Sequence, residues 1–282
     1  KLDWDGKTKP ADATQVYLTG TATNIAKAIT DALQKGDVFI DNNLNMANVD
    51  AFTIPKGRTL YVTGNVTDAN KLTVNGTLMV GADLTSTSAS FNNVGVKGNW
   101  TVNATTTVNK DAVATVEGDV IVDNGLTLTV DGKLYAANIV PTTGNSFTLT
   151  VDTNGHVEVS GAVNVGATGT INVNGANSLV VTGNITCQTM NVGSGTNAGR
   201  VEAANVTATT VNVAVAGSSV TVKEIAATTV NVTNATLKAD KVTGDLVLTG
   251  SVTVTVPTLV GDLNTSGVTS GTVSAGTSSD SQ

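Results

Sequence analysis

Apolar and polar residues alternate along most of this chain, and one short form of the alternation recurs: a large apolar residue, then Thr or Asn, then Val. It falls at Leu72-Thr73-Val74, Trp100-Thr101-Val102, Leu128-Thr129-Val130, Leu149-Thr150-Val151, Ile171-Asn172-Val173, Met190-Asn191-Val192, Val211-Asn212-Val213, Val230-Asn231-Val232 and Val252-Thr253-Val254. Successive members lie 28, 28, 21, 22, 19, 21, 19 and 22 residues apart, a period range that marks solenoids rather than one globular core. The motif reads as a single strand position met once per coil. Alternation then turns Leu72 and Val74, or Leu128 and Val130, inward, and Thr73 and Thr129 outward. Each repeat carries about three such runs broken by Gly, Asn-Gly or Asp-Gly, so the expectation is a three-sided parallel coil. Nine marked turns stacked at about 4.8 Å predict a rod of roughly 45 Å before its caps.

Ahead of the repeats the period changes. In TNIAKAITDALQKG, residues Ile25, Ala26, Ile29, Ala32 and Leu33 share one face of a 3.6-residue period, with Thr23 or Asn24 as N-cap and Gly36 as stop. This predicts an amphipathic helix of about three turns. DVFID follows at once, and then FTIPKGRTLYV, in which an Ile-Pro-x-Gly turn leads into a strand. Helix, strand and turn in this order resemble the opening segment of pectin-lyase-like right-handed parallel β-helix proteins. The matching residues are Ile25, Ala28, Ile29, Ala32, Gly36, Val38, Ile40, Ile54, Pro55 and Gly57. The resemblance covers residues 22–80 by motif and the rest by periodicity. It implies an all-β, right-handed parallel β-helix with three strands per turn and a short N-terminal helix covering the open end. It is nearly silent on activity.

Four segments follow: an extension at 1–22, the capping helix and first strands at 23–58, the β-helix at 59–262, and a tail at 263–282. In the extension, Trp4 and Tyr17 are candidate anchors against a neighbouring surface. The first two long steps leave room for insertions within 82–99 and 104–120, where binding loops would sit. The tail, TSGVTSGTVSAGTSSDSQ at its end, has a flexible composition.

Composition narrows the partners. Charged residues make up 13% and aromatics 3%, against 49 Thr and 29 Asn, which suits a narrow interior of stacked Val, Ile and Leu better than a conventional core. A net charge of −7 disfavours nucleic acid and anionic membrane surfaces. No apolar run approaches a membrane span, so membrane insertion is not expected. No signal peptide begins the chain, and for an exported protein Lys1 would be the start after cleavage. Cys187 stands alone and reads as a buried thiol, or else as one half of an intermolecular disulfide.

Candidate chemistry is thin. Polysaccharide lyases and hydrolases use the fold that the resemblance implies, working with clustered carboxylates or with Arg or Lys assisted by calcium. Here basic residues near the repeats are singletons such as Lys133 and Lys223. The pairs Asp123 with Asp131 and Asp152 with Glu158 could meet across a turn, yet Asp at such turns is ordinary turn chemistry. His156, the single histidine, has no partner for a metal or triad and reads as a solvated turn residue. No catalytic residue, metal ligand or cofactor is assigned. Calcium is the one ion kept in view, since Asp3-Trp4-Asp5-Gly6 has the start of a calcium loop without its remaining ligands.

Candidate glycosylation sites stand at Asn65, Asn75, Asn99, Asn103, Asn184, Asn205, Asn231, Asn234 and Asn264, though about seven such triplets arise by chance in this composition. Thr127 and Thr129, followed one turn later by Thr148 and Thr150, form an outward Thr-x-Thr array that resembles ice-binding solenoids, broken in neighbouring turns by Lys71, Asn99 and Asn172. Taken together, the sequence points to a non-enzymatic, secreted structural protein at the cell surface. Copies would assemble into a filament, sheath or surface layer, because solenoid ends and edges offer unpaired backbone groups. The alternative is a monomeric adhesin or carbohydrate-binding β-helix for cell-surface glycans, in which the insertion around Phe91 and Trp100 presents a sugar-stacking face, although the inward motif position of Trp100 reads as core. Less favoured are ice binding and polysaccharide cleavage.

Overall fold

Period-two alternation builds the coil. The computed structural model describes residues 2–85, 90–176 and 178–277. It is a parallel β-solenoid of about 12 turns with one helix, Ala22–Lys35, at its N-terminal end. At about 4.8 Å per turn the rod is roughly 55 Å long. Three faces recur in each turn. Face I stacks Leu60 on Val38, Leu78 on Leu60 and Val94 on Leu78. Face II stacks Val66, Leu84, Trp100 and Val120. Face III stacks Leu128, Leu149, Ile171, Met190, Val211 and Val230. These inward residues are fully buried and form one continuous core.

The recurring motif is therefore not one column. The members from Leu128 to Val230 lie on face III, whereas Trp100 lies on face II between Leu84 and Val120, and Leu72 pairs with Phe52 in a separate two-stranded sheet. The step on from Val230 on face III goes to Leu246, not Val252. The two 28-residue steps hide an additional turn, since Val66, Leu84, Trp100 and Val120 follow one another at 18, 16 and 20 residues. No binding loop occupies the described parts of 82–99 and 104–120: they form strands of the coil, including Asn93–Val96, Thr106–Val108 and Val113–Val116. Residues 86–89 of the first segment, and 278–282 of the tail, lie outside the described residues.

Helix Ala22–Lys35 begins two or three residues earlier than its pattern implied. Thr21, not Thr23 or Asn24, is the N-cap, its hydroxyl accepting the Asn24 N–H at 3.2 Å. Thr23 instead donates to the Asp50 carboxylate at 2.7 Å. Gly36 ends the helix as expected, its N–H returning to the Ala32 carbonyl at 3.1 Å. Ile25, Ala26, Ile29 and Leu33 are buried while Ala28 faces solvent. Arg58 Nε donates to the Leu33 carbonyl at 2.8 Å, which occupies an acceptor that the helix end leaves open.

The N-terminal extension folds back on its own chain. Thr14–Gln15 pairs in parallel with Val38 and Phe39, and the Trp4 ring meets Tyr61 edge-on at 5.2 Å. Trp4 is thus an intramolecular anchor, whereas Tyr17 is 70% exposed. At the other end Leu263–Thr277, where composition read a flexible tail, continues the coil as a strand parallel to the preceding turn, with three shifts of register.

Candidate functional site

Face III carries the most regular outer surface. Thr127, Thr148, Thr170, Thr189, Thr210 and Thr229 stack in one outward column; Thr129, Thr150, Asn172, Asn191, Asn212 and Asn231 stack in the next. Translation by one strand spacing places each amide against its equivalent. Asn191 Nδ2 donates to Asn172 Oδ1 at 3.0 Å, Asn212 to Asn191 at 2.9 Å, and Asn231 to Asn212 at 2.9 Å. Asn172 ends the Thr-x-Thr pattern as expected: it stands in the Thr150 column and continues it as asparagine, its own amide reaching Thr150 Oγ1 at 3.5 Å. Lys71 and Asn99 lie outside these columns, Lys71 in a short 3-10 turn and Asn99 at a corner before Trp100. After six turns the array ends in a charge, because Asp245 follows Thr229 in the register.

A second surface is the last turn. Within Leu263–Thr277, Leu263, Val268 and Val273 pack on the core and stay partly exposed. The strand pairs with the preceding turn, and no described residue pairs with its far edge. Its 15 residues include no charge and no proline. By contrast the opposite end has the helix across it.

The candidate glycosylation sites fall into two groups. Seven side chains are already engaged. Asn65 and Asn99 hold corners by accepting the backbone N–H of Asp83 at 3.0 Å and of Asp119 at 2.9 Å. Asn205 donates to Asn184 at 2.9 Å, and Asn231 belongs to the face III ladder. Asn234, left-handed at φ 53, accepts from Ser251 N–H at 2.9 Å, and Asn264 from Ser266 N–H at 3.0 Å. Asn75 and Asn103 are exposed, and their side chains make no hydrogen bond among the described residues. These two are the sites best presented to a transferase.

The remaining candidates disperse. Asp131 accepts from the backbone and amide of Asn154, Asp152 caps Thr153 N–H, and Glu158 lies 3.4 Å from His156 Nε2. His156 is not a solvated turn residue: it opens the strand His156–Val159, half-buried, with its ring 6.1 Å from Tyr135. Asp5 closes a local turn, accepting from Lys7 N–H and from Thr8 N–H and Oγ1, and the Thr8 hydrogen bonds lead in lowering its carboxyl to about 2. Among the described residues no group of three or more His, Cys, Asp or Glu is placed to hold a metal. Cys187 is buried, which pushes its thiol up to about 12 and keeps it protonated. Phe91 and Trp100 are both buried, their rings 5.7 Å apart inside the coil, so they form no sugar-stacking face.

The asparagine ladder had a sequence signal, the shared Asn at the second motif position in four consecutive motifs, but alternation alone did not show that the amides bond to one another. No described helix is long and apolar enough to cross a membrane. No protein-family model, curated protein or solved structure matches this chain. The class defined by the geometry is the parallel β-solenoid.

Proposed function

We propose that this chain is a structural building block, exported to the cell surface, that joins other copies of itself. The observation that carries this reading is the last strand, Leu263–Thr277, with a free far edge among the described residues and with neither charge nor proline to guard it. Such edges recruit a further strand unless charge, proline, a bulge or a cover blocks them, and between its register shifts this strand keeps one long unbroken run, Ser270–Ala275, to offer. With the helix over the other end, contact through the last strands alone is isologous and stops at two copies. Growth into a filament or layer then draws on a second uncharged surface, and face III offers one.

Electron microscopy and sedimentation of the full chain over a concentration series test the reading. Regular filaments, sheets or pairs of rods are expected, and Val268→Lys with Thr272→Pro is expected to disperse them while the β-sheet spectrum persists. Single rods at every concentration would sink the proposal.

One observation favours a second reading. One outward Thr column spans six turns beside a column that passes from Thr to Asn, both uncharged, which suits contact with an ordered water lattice. Inhibition of ice recrystallisation, lost in Thr189→Lys, would support it; no inhibition by the unaltered chain would remove it.

A further inference from the structure

Face I carries an outward column of Tyr61, Met79, Gly95, Thr115, Tyr135 and Glu158 in register. The N-terminal extension covers the first part of it. Trp4 lies edge-on against Tyr61, and Leu2 approaches Gly95 so closely that a Cβ there would fall 2.6 Å from Leu2 Cδ2. Leu2 N–H then donates to Glu117 Oε1 at 3.1 Å. Just beyond this contact a depression of about 430 Å³ opens, lined by Thr115, Glu117, Tyr135, Ala137, Glu158 and Ser160.

The chemistry of this lining is specific. Tyr135 offers a partly exposed ring, held from one side by the edge of His156. Glu117 is paired with Lys97 at 2.9 Å, and Glu158, 56% exposed, reaches His156 Nε2 at 3.4 Å. Burial raises the Glu117 carboxyl, but the hydrogen bonds from Lys97 and Leu2 outweigh it and hold the group below the usual range, so it stays ionised. An aromatic ring between carboxylate and hydroxyl acceptors matches a sugar, whose C–H face packs on the ring while its hydroxyls donate at the rim. A space of this size holds a small ligand. The lining is side chain rather than free strand edge, so an extended peptide finds no backbone to pair with. Lys97 compensates Glu117, so it is the exposed Glu158, on a chain of net charge −7, that disfavours uronates and favours neutral or amino sugars.

We propose that this depression is a saccharide-binding subsite for a neutral or amino sugar, with Tyr135 as platform and Glu117 and Glu158 as hydroxyl or ammonium acceptors. It stands apart from the assembly surfaces, so its test is independent of theirs. The full chain is titrated with chitosan tetrasaccharide, cellotetraose and tetragalacturonate, following amide and ring resonances of Tyr135, His156 and Glu158 by NMR. Saturable shifts are expected with the first two probes and none with the third. Tyr135→Ala is expected to weaken binding roughly tenfold, the loss of an aromatic contact, and Tyr135→Phe to retain it, with both variants melting as the parent does. Glu158→Gln should narrow the preference for chitosan over cellotetraose. No saturable shift with either favoured probe, equal binding of tetragalacturonate, or undiminished binding by a folded Tyr135→Ala would overturn the proposal.

Discussion

Toward the N-terminus, helix Ala22–Lys35 lays Ile25, Ile29 and Leu33 over the opening of the coil; toward the C-terminus, Leu263–Thr277 forms the last described turn, with no helix over it among the described residues. Both ends face the same difficulty. A solenoid interior is a stack of apolar layers, and its first and last layers have a neighbour on one side only. A helix satisfies most of its own backbone groups and supplies an apolar face, so it closes the stack. A strand is satisfied only by pairing, so it passes the open edge outward by one turn. The difference teaches that the helix secures the layers beneath it, while on the proposed reading association belongs to the last described strand.

Several substitutions can break or sharpen that contrast. The largest effect is expected from Ile29→Asp, which puts an unpaired carboxylate at a fully buried site and should cost more than about 4 kcal/mol. The matching Val273→Asp, at a partly exposed site, should cost under about 1 kcal/mol; urea unfolding of both decides it, and equal losses would break the comparison. Trp100, in the middle of the rod, is the reference for a fully enclosed layer. Trp100→Ala should cost about 3 to 5 kcal/mol, whereas Trp100→Phe should cost far less because the buried indole N–H finds no partner among the described residues.

Smaller effects sharpen the picture on the surface. Asn191 both donates and accepts within the ladder, so Asn191→Ala should cost about 1 to 2 kcal/mol by thermal unfolding. Asn103→Ala, at an exposed position, should stay within about 0.5 kcal/mol. The smallest change is at Asp5. Its carboxyl is lowered from 3.8 to about 2 by the Thr8 and Lys7 hydrogen bonds, so its contribution is complete above pH 3.8 and disappears as pH falls through about 2. An NMR titration should place its midpoint near 2, and Thr8→Ala should move that midpoint upward. An Asp5 midpoint that ignores Thr8→Ala would show that the turn does not hold the carboxylate.

Much of the coil was legible because inward and outward positions differ in kind. Leu128, Leu149 and Ile171 could be placed in one column from spacing alone, since the side-chain period of a strand is two and each turn there repeats within a residue or so. Trp100 could not. It carries the same local motif as Leu128, and only the stacking of Leu84 and Val120 against it reveals a different face. His156 was misread for a related reason: an Asn-Gly-His run has turn composition, but the strand His156–Val159 pairs with Lys133–Ala136 and takes the histidine in. Of the proposed saccharide subsite, nothing was legible. Glu117, Tyr135 and Glu158 are separated by 18 and 23 residues, and no local pattern announces that turns of unequal length bring them to one depression.

What the amino-acid sequence determined by itself was the repeating unit: short alternating runs, corner residues that turn the chain, and an amphipathic helix ahead of them. Those are local properties, set by backbone periodicity and by Gly, Asn and Asp at corners. Only the tertiary structure decided the count of turns, the face to which each motif belongs, and the bonding of Asn172, Asn191, Asn212 and Asn231 into one ladder. These depend on register between turns. Register is a non-local quantity, chosen by the packing of whole layers against one another, and a sequence whose motif repeats on two faces leaves that choice open until the layers are stacked.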